Sequence, residues 1–157
     1  MKNIILLGAT GSIGTQVLDI IRENPKEYTL KAFSFGHNIN KALEIIKEFK
    51  PELVCSPFEE INEVKEIKTT KDLKEIVWYG SNNDYVVNAI VGINGLVPTI
   101  ETIKSKKVLL LANKESLVMA GELVNQLKKE YSGVIIPIDS EHSALYKKKK
   151  KYSNIKE

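Results

Sequence analysis

The sequence predicts an α/β fold in which a mostly parallel sheet is covered by helices on both faces. Apolar runs of strand length alternate with segments of helical periodicity along the chain. The apolar runs are continuous, which is typical of strands buried on both faces. A glycine-rich turn, GATGSIG at 8–14, lies between the first apolar run and the first helical segment. Together these features indicate a doubly wound, Rossmann-like sheet.

The composition is that of an ordinary globular domain. The 157 residues are 43% hydrophobic and 27% charged, which is enough apolar material for a core. No apolar run is long enough to span a bilayer, and we expect no signal or transit peptide before the first strand. Cys55 is the only cysteine, which excludes an internal disulfide and fits a reducing, cytoplasmic setting.

The first half of the chain is expected to hold three strands and two helices. The strands are predicted at 3–7, 30–35 and 53–55. The helices are predicted at 12–22 and from a cap at Asn38 or Asn40 to about residue 50. The charged segment 59–74 is interpreted as a connecting excursion with a short helix.

The second half continues the alternation. Strands are predicted at 76–79, from 84 or 85 to 91, at 108–112 and at 134–138. Helices are predicted at 98–105, with proline in the first turn, and at 117–131, with Gly133 as the C-terminal stop.

Glycines and polar residues follow these strands at their carboxyl ends, where open α/β sheets bind ligands. The turn after the first strand has glycines at 8, 11 and 14, a GxxGxxG spacing rather than GxGxxG. Glycine permits a tight turn and lets the backbone approach a pyrophosphate at a helix N-terminus, and Thr10 and Ser12 add hydroxyl donors. A purely structural turn is the alternative, but the strand before and the helix after favour nucleotide binding.

The second strand end favours NADPH over NADH. An NAD site usually has a carboxylate there to hold the ribose 2′-hydroxyl, and this chain has Gly36, His37 and Asn38 instead. A 2′-phosphate can be held by backbone amides, by Asn38 and by His37. The alternative for His37 is a solvent-facing loop histidine.

Two later motifs allow both a functional and a structural interpretation. Asn113-Lys114-Glu115 either caps the next helix or places Lys114 against a phosphorylated or carbonyl substrate. Asp139 and Glu141 are two residues apart, so in strand geometry they share a face and suit Mg²⁺ or Mn²⁺. The alternative is a pair of surface carboxylates, one of them capping a helix near Ser140.

The net charge of +3 is concentrated in five lysines at 147–151. Such a run is usually solvated, and the alternative is contact with nucleic acid or anionic lipid. We therefore expect residues 147–157 to form a lysine-rich tail.

Several stretches resemble one family, 1-deoxy-D-xylulose 5-phosphate reductoisomerase. In chain order, from about residue 3 to 146, they are LLGATGSIGTQVLDIIRENP, FSFGHNIN, EFKPELV, NAIVGINGLVPTIETIKSKKVLLLANKESLVMAGEL and IPIDSEHSALY. The ANKESLV and DSEHSA segments are more specific than the glycine turn. The resemblance implies NADPH-dependent isomerisation and reduction of 1-deoxy-D-xylulose 5-phosphate to 2-C-methyl-D-erythritol 4-phosphate, assisted by a divalent metal (Mg²⁺ or Mn²⁺).

The resemblance also implies roles for individual residues. The residues that match cofactor contacts are Thr10, Gly11, Ser12, Ile13, Gly36, His37, Asn38, Asn113 and Glu115. Lys114 and Ser140 match substrate contacts, and Asp139 and Glu141 match metal ligands. No residue is assigned as a catalytic acid or base.

The resemblance implies that the family continues into catalytic and C-terminal domains, which we expect to be absent from this chain. We therefore expect residues 1–146 to be an NADPH-binding domain that ends in the first metal-ligand motif and is inactive alone. The full-length enzyme is expected to be a homodimer acting on a small sugar phosphate, with no nucleic-acid or membrane partner. The alternative is a stand-alone nucleotide-binding module with a basic tail; DSEHSA argues against a third possibility, another NAD(P) dehydrogenase.

Overall fold

Seven strands form one sheet in the part of the chain that the computed structural model describes, residues 1–112, 118 and 121–137. The strands are β1 (Lys2–Leu7), β2 (Tyr28–Ser34), β3 (Leu53–Cys55), β4 (Lys68–Thr70), β5 (Tyr85–Asn88), β6 (Val108–Leu111) and β7 (Val134–Pro137). The helices are α1 (Ser12–Glu23), α2 (Ile39–Phe49), α3 (Leu73–Trp78), α4 (Leu96–Lys104) and α5 (Gly121–Glu130). A short 3₁₀ turn at Ile93–Gly95 leads into α4.

The strand order is β4-β3-β2-β1-β5-β6-β7, and every neighbouring pair is parallel. The chain starts in the middle of the sheet, moves outward through β2, β3 and β4, and then returns to build β5, β6 and β7 on the other side. This confirms the predicted doubly wound sheet. The order reverses between β1 and β5, and the carboxyl ends of these two strands therefore flank the crevice where such sheets bind ligands.

Helices cover both faces, as the continuous apolar runs predicted. Along β1, Ile4 and Leu6 pack into a core with α1 and α2, whereas Ile5 and Leu7 pack into a second core with α3, α4 and α5. Successive strand residues point to opposite faces, so both sets must be apolar. No helix in the described part of the chain combines the length and the apolar character needed to cross a bilayer.

The predicted strand at 76–79 is wrong, because these residues belong mostly to α3. The apolar run Ile-Val-Trp has strand propensity, but the Asp72 side chain accepts a hydrogen bond from the Lys74 amide at 2.9 Å and starts a helix. That helix buries Ile76 and Val77 against the sheet. The excursion at 59–74 also contains a strand that was not predicted, β4, whose residues are largely exposed at the edge of the sheet.

β5 ends at Asn88, three residues before the predicted boundary. The Asn88 amide nitrogen donates to Gly95 O and Thr99 Oγ1, both at 3.0 Å, and its Oδ1 accepts from the Ile90 amide at 3.2 Å. These bonds turn the chain away from the sheet while the apolar sequence continues. The turn brings residues 89–95 over the carboxyl end of β5.

The end of α5 differs in one detail from the predicted stop at Gly133. The residue with a left-handed backbone is Ser132 (φ +54°), and the Gly133 amide donates to Lys128 O at 2.9 Å to close the turn. A Cβ at position 133 would lie 3.0 Å from Ile103 Cγ2, so close packing favours glycine there. The predicted start of this helix at residue 117 and Ile138 of the last predicted strand lie outside the described residues.

Candidate nucleotide-binding site

The glycine-rich turn joins β1 to α1 with almost no space between them. Gly8 has φ +81°, and its amide donates to the Ser34 hydroxyl at 3.0 Å. A Cβ at Gly14 would lie only 2.2 Å from Gly8 O, closer than van der Waals contact allows. Only glycine fits these two positions, and the first turn of α1 therefore rests directly on the end of β1.

The N-terminus of α1 has no side-chain cap. Gly11 occupies the cap position, and a Cβ placed there would have no atom nearer than Gly8 O at 3.7 Å. The first amides of a helix need acceptors, and here a ligand can supply them. The expected cofactor residues Thr10, Gly11, Ser12 and Ile13 all lie at this helix start, beside the reversal point of the sheet.

The second strand end brings Gly36, His37 and Asn38 next to this turn. Asn38 caps α2, and its Oδ1 accepts from the Lys41 amide at 3.1 Å. The cap engages only the side-chain oxygen, so the amide NH₂ group remains a donor for a ligand. A Cβ at Gly36 would meet no atom within 4 Å, which leaves open space above the strand end.

His37 is both solvent-facing and held in place. Its side chain is 72% exposed, yet Nδ1 lies 3.1 Å from Glu59 Oε1. The ring also stacks on Phe58, with ring centroids 4.6 Å apart. The two alternatives that the sequence left open for His37 are therefore not exclusive, because an exposed ring is oriented by two neighbours from one loop.

A cavity of about 360 Å³ lies at the carboxyl ends of β1, β2 and β5. Its lining residues are Gly8, Gly11, Ser34, Phe35, Gly36, Pro57, Phe58, Leu73, Ala89, Ile90, Val91 and Asn94. We call this space the switch-point cavity. Its walls are mostly apolar, its floor is glycine backbone, and the uncapped start of α1 opens beside it. Such a surface suits a flat aromatic group joined to an anion.

Ser56 is a site residue that the sequence analysis missed. Its buried hydroxyl donates to Gly36 O at 2.8 Å and accepts from the amides of Phe58 and Glu59 at 3.2 and 3.1 Å. The hydroxyl thereby ties the loop that carries Phe58 to the end of β2. Its position directly after β3, at the carboxyl edge, is the signal that would have indicated it.

Asn88 is the second missed residue, and it shapes the opposite wall. It is fully buried at the end of β5, and its three side-chain hydrogen bonds hold the segment 89–95 that lines the switch-point cavity. A polar residue that interrupts the apolar run 86–91 was the available signal.

Cys55 takes no part in this chemistry. It is fully buried, and burial, with smaller effects from Asp72 and Glu75, raises the pKa of its thiol to about 12. The thiol therefore stays protonated at neutral pH and is a poor nucleophile.

Six of the expected site residues, together with the lysine run, lie outside the described residues. The six are Asn113, Lys114, Glu115, Asp139, Ser140 and Glu141. The strands that precede them, β6 and β7, are neighbours, with Leu111 opposite Pro137. Within residues 1–112, 118 and 121–137, no group of three or more His, Cys, Asp or Glu side chains could hold a metal.

Comparison with known proteins gives consistent matches. A sequence model described as 1-deoxy-D-xylulose 5-phosphate reductoisomerase matches residues 4–121. The enzyme of that name from Listeria innocua is 48% identical over 153 residues, covering 92% of this chain but 40% of its own length. This chain thus spans about 40% of the length of such relatives.

Solved structures agree. The Zymomonas mobilis reductoisomerase in complex with NADPH is 29% identical with a TM-score of 0.80, covering 93% of this chain and 41% of that one. DOX-P reductoisomerase in complex with NADPH, fosmidomycin and magnesium is 37% identical with a TM-score of 0.78, covering 94% and 38%.

Proposed function

This chain belongs to the 1-deoxy-D-xylulose 5-phosphate reductoisomerase family, and from that premise we propose that it provides the NADPH-binding part of such an enzyme. In this proposal the whole protein isomerises 1-deoxy-D-xylulose 5-phosphate and reduces the product to 2-C-methyl-D-erythritol 4-phosphate. The role of this chain is to bind the cofactor and to present it at the carboxyl edge of the sheet.

The observation that carries the proposal is the uncapped N-terminus of α1 above the glycine-rich turn. Gly8 and Gly14 hold the helix start against β1, so the amides of its first turn converge on the crevice between β1 and β5. Those amides and the helix dipole favour a pyrophosphate. The hydroxyls of Thr10 and Ser12 add donors at the same place.

The adenosine end of the cofactor fits the switch-point cavity. Phe58 and Leu73 offer apolar contact for the adenine ring, and Gly36 leaves room for the ribose. We assign the 2′-phosphate to Gly36, His37 and Asn38. None of these three residues carries a carboxylate, so the turn itself places no negative charge against the phosphate. The relative from Zymomonas mobilis in complex with NADPH supports this choice of cofactor.

The remaining site residues enter the proposal through the family resemblance. Asn113 and Glu115 contact the cofactor, Lys114 and Ser140 contact the substrate, and Asp139 and Glu141 hold a divalent metal. These motifs begin two residues after Leu111 and Pro137, which lie opposite each other in β6 and β7. When bound, the metal polarises substrate oxygens and stabilises negative charge on them.

The proposal extends to the wider organisation of the protein. Residues 1–146 make up the cofactor-binding domain, and the whole protein works in the cytoplasm as a homodimer. Its substrate is a small sugar phosphate, which fits a crevice at a strand edge rather than an extended surface.

Calorimetric titration of this chain with NADPH, and with NADH as control, tests the proposal. We expect saturable binding that favours NADPH. Gly14→Ala should abolish it, because the added Cβ would displace the turn from α1. A folded chain that binds neither nucleotide would refute the proposed function.

A further inference from the structure

Lys41, which no sequence motif indicated, reaches from the first turn of α2 to the glycine-rich turn. Its ammonium nitrogen lies 3.1 Å from Thr10 O and 2.8 Å from Thr15 Oγ1. We propose that Lys41 is a positioning residue of the pyrophosphate-binding turn. This inference rests on the proposed function and adds a residue to the assigned site.

The contacts form a short relay onto the backbone of the turn. Lys41 donates to the Thr15 hydroxyl, and that hydroxyl donates in turn to Gly11 O at 2.8 Å. The ammonium therefore holds the Thr10 carbonyl directly and the Gly11 carbonyl through one hydroxyl. The Gly11 carbonyl belongs to the same planar peptide unit as the Ser12 amide, the first amide of α1. Fixing and polarising that carbonyl orients the Ser12 N–H on the opposite side of the unit, toward the open helix end.

The charge of Lys41 is placed where a protein alone gains little from it. The part-buried side chain of Lys41 begins in the first turn of α2 and brings its ammonium to the start of α1, a helix end that carries partial positive charge. Thr10 O and Thr15 Oγ1, which accept its hydrogen bonds, are neutral, and among the described residues no carboxylate forms an ion pair with it. By contrast, Lys71 and Lys74 pair with Glu60 and Glu101.

A cation placed at a helix N-terminus without an acidic partner is favourable when an anion binds beside it. The cofactor pyrophosphate is the anion that the glycine-rich turn is built to accept. Lys41 thus favours anion binding at the turn in two ways. It fixes the carbonyl groups of Thr10 and Gly11, and it adds positive potential at the start of α1.

The test is calorimetric titration of this chain and three variants with NADPH and with NADH. Lys41→Met keeps the length of the side chain and removes the charge and the donors. Lys41→Arg keeps the charge. Lys47→Met makes the same change in the exposed last turn of α2 and serves as the matched control. Thermal unfolding of each variant is measured in parallel.

We expect Lys41→Met to weaken the binding of both nucleotides by the same factor, roughly tenfold, because the pyrophosphate is common to both. Lys41→Arg should recover most of that loss, and Lys47→Met should bind like the unaltered chain. Added salt should narrow the difference between the unaltered chain and Lys41→Met, because salt screens the charge.

Unchanged affinity in Lys41→Met would overturn the inference. If its unfolding temperature fell at the same time, Lys41 would be only a structural link between α1 and α2. A loss confined to NADPH would make it a direct 2′-phosphate ligand instead. If the unaltered chain itself binds no NADPH, the proposed function fails first, and the inference with it.

Discussion

The amino and carboxyl edges of the sheet differ in how their polar groups are paired. At the amino edge, Asn3, Lys31, Asp84 and Lys107 bond to one another or to nearby backbone, and Asp84 and Lys107 are each only 2% exposed. We call these four residues the amino-edge cluster. At the carboxyl edge, the glycine-rich turn and the second strand end instead border an open cavity and an uncapped helix.

The amino-edge cluster is internally satisfied. Asp84 accepts hydrogen bonds from Asn3 Nδ2 at 3.2 Å and from the Ser81 amide at 3.0 Å, and it lies 3.4 Å from Lys31 Nζ. Lys107 donates to the backbone carbonyls of Val77 and Tyr79. Burial opposes ionisation of Asp84, but these hydrogen bonds and the charge of Lys31 lower its pKa overall.

This difference gives a criterion for distinguishing structural polar groups from ligand-binding ones in this fold. A buried charge is retained for structure when its partners come from the protein, and the amino-edge cluster meets that condition. At the carboxyl edge Ser56 and Asn88 are satisfied in the same way, but the first amides of α1 have no side-chain cap beside the open cavity, which is the property expected of a ligand site. Substitutions at the two edges should therefore affect different measurements.

The largest effect is expected when Asp84→Ala breaks the amino-edge cluster. The substitution leaves Lys31 and buried Lys107 close together without their carboxylate, which should lower the free energy of unfolding by about 3–5 kcal/mol. Urea unfolding measures this change, and NADPH affinity of the folded fraction should stay the same.

Glu60→Ala is the matched control for that experiment, because Glu60 pairs with Lys71 at the surface with 69% of its side chain exposed. We expect it to cost no more than about 1 kcal/mol. If the two variants lose similar stability, the contrast between the two edges is wrong.

A smaller effect should appear in the pH dependence of stability. Burial, opposed by Asp84 and assisted by Lys31, lowers the pKa of Lys107 to about 8. The unfolded chain then binds more protons than the folded chain above pH 8, so stability should rise as the pH increases. Between pH 7.5 and 9.5 this amounts to about 2 kcal/mol.

Urea unfolding of Lys107→Met at both pH values isolates this contribution, because the variant lacks the titrating group. Its stability should rise less with pH than that of the unaltered chain. Lys106→Met, at the exposed neighbouring position, should keep the full dependence. An equal pH dependence in Lys107→Met and the unaltered chain would show that Lys107 does not titrate with a lowered pKa in the folded chain.

The sequence located the first two strand ends of the carboxyl edge well, and it gave no signal for the amino-edge cluster. Glycine spacing and apolar periodicity are local signals, and they located β1, the turn and α1 within a residue or two. Gly36, His37 and Asn38 were also placed correctly beside the turn, because strand ends of a parallel sheet share one edge.

The parts that were missed depend on contacts between distant residues. Nothing local shows that Lys107 bonds to Val77 O, thirty positions away, or that the Ser56 hydroxyl bonds to Gly36 O. Residues 76–79 were predicted as a strand, and the prediction is wrong because the cap at Asp72 outweighs the strand propensity of the apolar run and starts the helix Leu73–Trp78. Lys41 was overlooked because a lysine in a helix is usually a solvent-exposed residue.

The smallest predicted effect lies at the carboxyl edge, where Glu59 holds His37 and also places a negative charge near the proposed 2′-phosphate position. In the unaltered chain, Glu59 Oε1 lies 3.1 Å from His37 Nδ1. Glu59→Gln keeps a hydrogen-bonding group at this position but removes the negative charge. In a solvent-exposed setting such a charge is worth about 1 kcal/mol or less, so NADPH affinity should rise about twofold to fivefold. NADH lacks the 2′-phosphate, so its affinity should not change, and Glu63→Gln on the same exposed segment should leave both affinities unaltered. Weaker NADPH binding in Glu59→Gln would mean that the carboxylate acts mainly by orienting His37. The carboxyl edge would then depend on pairing between protein groups, as the amino-edge cluster does.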